Sequence, residues 1–174
     1  MTIQTRFYLP VLFLLSTFSL NALAEDKEIQ ALYSSKSLTP AAALIVAKTA
    51  LNSCRAAGFQ VSVSVLDGGG NLLVTLRDRI AGTSTPEAAL LKAQTAHNFR
   101  SSTTALMQSV NSNPEAAGIK QLPGTLVLGG GMIIEASGAM VGAIGVAGAP
   151  DGSSDEKCAS AGIEAIEEIL EFAD

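Results

Sequence analysis

Tryptophan is absent from this chain, aromatic residues make up 5% of it, and His97 is its single histidine. With so few rings, the core must be built from Ala, Val, Leu and Ile, whose small side chains let helix and sheet pack closely. One histidine excludes, within a single subunit, the zinc and non-haem iron sites that need two or more. Any Ser-His-Asp arrangement would have to use His97, and no GxSxG elbow is present to hold its nucleophile. The two cysteines, Cys54 and Cys158, form no CxxC, which argues against a redox pair or a zinc knuckle. No basic run or basic-aromatic cluster occurs, so nucleic acid and anionic membrane are poor partners. The glycine clusters 68–70 and 129–131 are turns rather than phosphate loops, because neither has the lysine or the GxGxxG spacing that such loops require.

What is present first suggests export. Arg6 precedes an apolar run from Phe7 to Leu20, and Ala22-Leu23-Ala24 has the small-x-small form cleaved by signal peptidase. Residues 1–24 therefore read as a signal peptide, with a periplasmic or secreted mature chain that has no membrane anchor once the signal is removed. The leader contains one of the 11 basic residues and none of the 16 acidic ones, so the remainder carries a net charge of −6. Outside the cytoplasm a disulfide is allowed. Cys54 and Cys158 each fall on an expected helix, and both a bridge and two buried free thiols stay open, since spacing does not show whether the side chains meet.

At 174 residues the sequence has the length of one domain, 39–174, after a flexible lead-in at 25–38. Thr39-Pro40 starts a first helix that runs to 57, ahead of Gly58. Phe59, Val61, Val63 and Val65 alternate with polar residues, the period of a strand with one buried face. Asp67 and three glycines then reverse the chain into a second β-rich run, Asn71 to Asp78. Ser84-Thr85-Pro86-Glu87 opens a second helix over 86–99, and Ser101 caps a short third helix to about Val110. After a long connection, three short strands are expected at Thr125–Leu128, Met132–Ala136 and Ala139–Val146, the last two joined at Ser137-Gly138. Ser153-Ser154-Asp155-Glu156 reads as a capping-box start for a last helix over 154–172. This order gives an α+β layout with five mostly antiparallel strands, and the first and last helices side by side.

Candidate site residues gather on the second helix. Ala89, Ala93 and Ala96 form a bare strip, flanked by His97 and Arg100, which leaves room for something flat or for another backbone. His97 could serve as an axial haem ligand, since one neutral imidazole suffices for five-coordinate iron. Arg77, Lys92 and Arg100 could hold carboxylates such as haem propionates, or pair with Asp78, Glu87 or Asp155.

The segments VSVSVLDGGGNLL, EAALLKAQTA, LPGTLVLGGGMII, SGAMVGAIGVAGAP and DEKCASAGIEAI, in this order and with Arg77 between the first two, resemble the GlcG/HbpS haem-binding (haem-degrading) family. They are also similar to the C-terminal domain of PduO-type corrinoid adenosyltransferases. The resemblance covers about residues 38–170, with motif matches at Asp67, Gly70, Arg77, Lys92, Thr95, Gly130, Gly138, Gly142, Gly145 and Asp155. It implies a profilin-like α/β/α sandwich with a five-stranded antiparallel sheet, assembly into homo-oligomers, and haem as cofactor. The function expected is an exported haem-binding protein for haem or iron binding, relay or sensing, a binding protein rather than an enzyme, with haem degradation implied by some of the family. Arg77, Lys92, His97 and Arg100 are the expected cofactor contacts, with His97 on the metal. The alternatives are an enzyme or accessory protein acting on a small carboxylate or corrinoid-related ligand, and an oligomeric interaction module.

Overall fold

Val61, Val63 and Val65 alternate with Ser62 and Ser64, and all five are buried. The first strand is therefore covered on both faces, where alternation alone predicts one. In the computed structural model, which describes residues 31–172, this strand is β1 (Ser62–Asp67), and it lies inside a four-stranded sheet. The expected signal peptide and the first part of the lead-in lie outside the described residues. The end of the lead-in is anchored: Leu38 is buried, its N–H donates to the Val141 carbonyl at 3.0 Å, and Ser37 Oγ accepts from the Gly68 N–H at 2.8 Å.

The element order is α1 (Pro40–Ala56), β1, β2 (Leu72–Arg77), α2 (Thr85–Phe99), α3 (Thr103–Ser112), a 3₁₀ helix (Pro114–Gln121), β3 (Gly131–Ala136), β4 (Ala139–Ala147), α4 (Gly152–Glu164) and α5 (Glu167–Glu171). The sheet runs β2-β1-β4-β3, antiparallel throughout. Thr39 caps α1 through its hydroxyl, as its sequence position indicates. The Ser137-Gly138 turn has positive φ at both residues, 51° and 76°, the geometry that joins two strands by the shortest loop.

Four strands, not five, make the sheet. Thr125–Leu128 stays irregular because its backbone is used elsewhere: the Leu126 N–H donates to Thr95 Oγ1 on α2 at 2.8 Å, and the Leu128 N–H turns back to the Leu126 carbonyl at 2.9 Å. The last helix also differs from expectation. It starts at Gly152, capped by Asp151, which accepts from the Ser154 N–H at 2.8 Å, and it breaks at Ala165 before α5.

Pairing register separates the two faces of the sheet. Val63 sits opposite Val146 and Val65 opposite Ile144, and these four join Val46, Ala47, Ala50 and Ala159 in the main core beneath α1 and α4. Each such side chain contributes about 1.5–3 kcal/mol on burial. Cys54 of α1 and Cys158 of α4 are bridged, with Cα atoms 5.5 Å apart, which resolves the open choice in favour of a disulfide. Closing a loop across 104 residues stabilises the fold by roughly 4–5 kcal/mol in the chain-entropy account. On the opposite face Ser62, Ser64, Ala143 and Gly145 meet α2. The alanine strip of α2 is thus spent on another backbone. A Cβ at Gly145 would overlap the carbonyl oxygen of Ala89 and come within 2.6 Å of the Ala93 nitrogen.

Candidate functional site

Helix α2 carries three of the four expected contacts, and the fold sends them to different places. Lys92 and His97 are five residues apart, well over a third of a turn around the helix axis, so they cannot share one side.

Lys92 is 5% exposed and lies at the floor of a cavity of about 560 Å³, whose walls include Ala88, Met107, Leu126, Leu128 and Pro150. Its ammonium donates to Asp155 Oδ2 at 2.7 Å and to the Val146 carbonyl at 2.9 Å. Asp155 in turn accepts the Ala149 N–H at 3.0 Å through its other oxygen. Burial pushes the Asp155 carboxyl up, and the Lys92 ammonium partly offsets that. Gly130, at φ 114°, makes room for the pair: a Cβ there would meet Asp155 Cβ at 2.7 Å and Lys92 Nζ at 3.1 Å. Lys92 therefore takes one of the pairings open to it from sequence, and Asp155 serves as its counter-ion rather than as part of a helix cap. An ammonium has three donors, so one remains for a cavity occupant.

His97, at the far end of α2, packs on the β1–β2 turn. Asp67 Oδ1 accepts the N–H groups of Gly69 and Asn71 at 2.9 and 2.8 Å and shapes that turn. Burial raises the Asp67 carboxyl, but hydrogen bonds from Asn71 and Gly69 and the nearby His97 outweigh it, leaving the group below the usual range. Gly70 has φ 83°, and a Cβ on it would come within 2.9 Å of His97 Cε1. His97 Nε2 is 3.1 Å from the Gly68 carbonyl oxygen. A carbonyl only accepts, so the Nε2–H donates to it, while Nδ1 lies 3.4 Å from the Asn98 side-chain amide oxygen. This half-buried imidazole is fixed in ring orientation by a backbone partner, as ligating histidines generally are. His97 is not among the residues lining the Lys92 cavity.

Arg100 is exposed and ends α2 in the left-handed region, at φ 50°, three residues from His97. Arg77 lies on edge strand β2, where its guanidinium donates to the Ala81 carbonyl. It shares a second cavity, of about 710 Å³, with Arg55, Gln60, Asp78 and Arg79. Arg55 grips Asp78 with two hydrogen bonds, Nε to Oδ2 at 2.6 Å and Nη2 to Oδ1 at 2.9 Å, and this pairing holds the Asp78 carboxyl below the usual range. The structure therefore brings His97 and Arg100 to one region and leaves Lys92 and Arg77 in two others. The Arg55–Asp78 and Lys92–Asp155 pairs join residues 23 and 63 apart, separations that carry no local sequence signal. Among the described residues, no group of three or more His, Cys, Asp or Glu could hold a metal ion, and no helix is long and apolar enough to cross a membrane.

A four-stranded antiparallel sheet with α1 and α4 on one face and α2 on the other defines a small α+β class with solved members. Klebsiella pneumoniae protein ORFY is similar in fold, with TM-score 0.75 and 24% identity, over 79% of this chain and 95% of that one. The crystallised complex of PduOC with haem is 25% identical over 75% of this chain and 96% of that one, with TM-score 0.69. A double mutant of HbpS from Streptomyces reticuli is 41% identical over 78% of this chain and 90% of that one, with TM-score 0.73. No curated protein matches the chain in sequence. The family described as haem degrading protein HbpS-like matches residues 38–164, and the chain belongs to that family.

Proposed function

We propose that this chain is an exported haem-binding protein, which holds haem for storage, relay or sensing, with His97 as the iron contact and Arg100 beside it as a propionate partner. Membership of the HbpS-like family carries the reading, together with the similarity to a protein crystallised with haem. The orientation of His97 supports its part, since the Gly68 carbonyl fixes the ring through Nε2, as a backbone partner does for ligating histidines in general. Haem held there would supply the iron chemistry. The residues of this chain would orient the imidazole and neutralise carboxylates. Export is supported by the leader-like N-terminus and by a disulfide, which persists in oxidising compartments. Assembly into a homo-oligomer belongs to the same reading, and exposed Leu122 and Leu128 offer apolar surface for it.

Haem titration followed at the Soret band tests this directly. The wild type is expected to show a saturable band that weakens in His97→Ala. A band of equal strength in the variant removes His97 from the site. A second reading, an enzyme or accessory protein acting on a small carboxylate or corrinoid-related ligand, is favoured by the Lys92 cavity, which is mostly apolar and keeps one ammonium donor at its floor. Its size falls within the ~300–1,000 Å³ usual for small-molecule sites.

A further inference from the structure

The chain contains five arginines and a net charge of −5, yet Arg55, Arg77 and Arg79 line one cavity of about 710 Å³ whose single acidic residue is Asp78. Asp78 is already saturated. Both its oxygens bind Arg55, and Oδ1 also accepts the Arg79 N–H at 2.8 Å. One carboxylate balances one guanidinium, so the cavity keeps an excess of two positive charges. Arg77 uses one nitrogen on the Ala81 carbonyl, and the Arg79 guanidinium makes no hydrogen bond among the described residues. A guanidinium has five N–H donors, arranged to meet planar or tetrahedral oxyanions two at a time.

We propose that this cavity binds a small doubly charged oxyanion, of the phosphate or dicarboxylate class, held by Arg77 and Arg79, with Arg55 and Asp78 as the frame that positions them. The site is separate from His97 and from the Lys92 cavity, and it goes beyond the haem reading. Arg77 ends β2 and Arg79 lies in the turn closed by the Ala81 N–H on the Asp78 carbonyl at 3.1 Å, and both line the cavity while Asp78 between them is buried. The frame holds its shape because the Arg55–Asp78 pair is bidentate.

The test is calorimetric titration of haem-free full-length protein at about pH 8, where inorganic phosphate is mostly doubly charged. Inorganic phosphate and succinate are compared with chloride at matched ionic strength. Saturable binding of either dianion, weakened roughly tenfold or more in Arg79→Gln and in Arg77→Gln, is the expected result, since each variant loses charge-assisted hydrogen bonds. Phosphate alone would identify a tetrahedral ligand and succinate alone a dicarboxylate. Arg79→Gln removes no hydrogen bond among the described residues, so its loss of binding reports on the site and not on folding. No saturable heat with either probe, a response that chloride reproduces, or unchanged affinity in Arg79→Gln would overturn the proposal. Because no haem is present, the outcome is independent of the haem titration.

Discussion

The two faces of the sheet solve the same packing problem in opposite ways. Beneath α1 and α4 the face is aliphatic, with Val63, Val65, Ile144 and Val146 filling volume, and a disulfide clamps the two helices above it. Under α2 the face is built from Ser62, Ser64, Ala143 and Gly145, and the helix backbone descends almost onto the strands. The first face stabilises by apolar burial, and the second by closeness and by part-buried polar bonds such as Ser64 Oγ to Thr75 Oγ1 at 2.9 Å. Two of the candidate sites border the second layer: Lys92 with its cavity on one side of α2, and His97 against the β1–β2 turn on another.

The largest predicted effect comes from adding volume to the close-packed face. Gly145→Val should cost more than about 4 kcal/mol or prevent folding, because α2 must lift to clear the new side chain. Thermal unfolding by circular dichroism would show it. Next comes Lys92→Ala, which strands Asp155 as a buried charge and should cost about 3–5 kcal/mol, whereas replacing both partners with apolar residues should recover much of the loss. Denaturant titration of the single and double variants checks this, and equal losses in both would show that the ion pair is not the source. On the aliphatic face Ile144→Val should cost only about 1 kcal/mol. If Ile144→Val proved as damaging as Gly145→Val, the contrast between the faces would fail.

Asp78→Asn has its effect through pH. Asp67, Asp78 and Asp151 are all held below the usual carboxylate range in the fold. Each contributes stability that is fully present above its unfolded pKa, about 3.9, and is lost as pH falls through its lower folded value. Asp155, pushed up by burial, gives an opposing slope that acts as pH rises from about 3.9 to its folded value. The wild-type melting temperature should therefore drop below about pH 4, and Asp78→Asn should make that drop shallower. An unchanged acid profile in the variant would contradict the part assigned to the Arg55–Asp78 pair.

Much of this architecture can be read from short-range pattern. The valine alternation at 61–65, the Asp67 and Gly70 turn, the Ser137-Gly138 reversal and the starts of α1 and α2 all follow from neighbours a few residues apart. What escapes such reading depends on distant partners. Thr125–Leu128 has the composition of a strand, but Thr95 takes the Leu126 N–H and no strand lies beside it. Asp155 has the spacing of a capping residue, yet Lys92 claims it from 63 residues away. The alanine strip of α2 is plain in the sequence, while the choice between a ligand and a backbone was decided by Gly145, which lies on β4. Of the candidate site, the residues were legible and their separation was not. Arg55 and Arg79 had no signal at all, because their significance comes from sharing a cavity with Arg77.

The haem reading meets its most direct trial in the absorbance spectrum of wild-type protein, recorded after purification and again after stoichiometric haem is added. A Soret band that saturates at a fixed ratio of haem to chain, and weakens when His97 becomes alanine, is the predicted result. A spectrum showing only free haem, with no saturation, would contradict it.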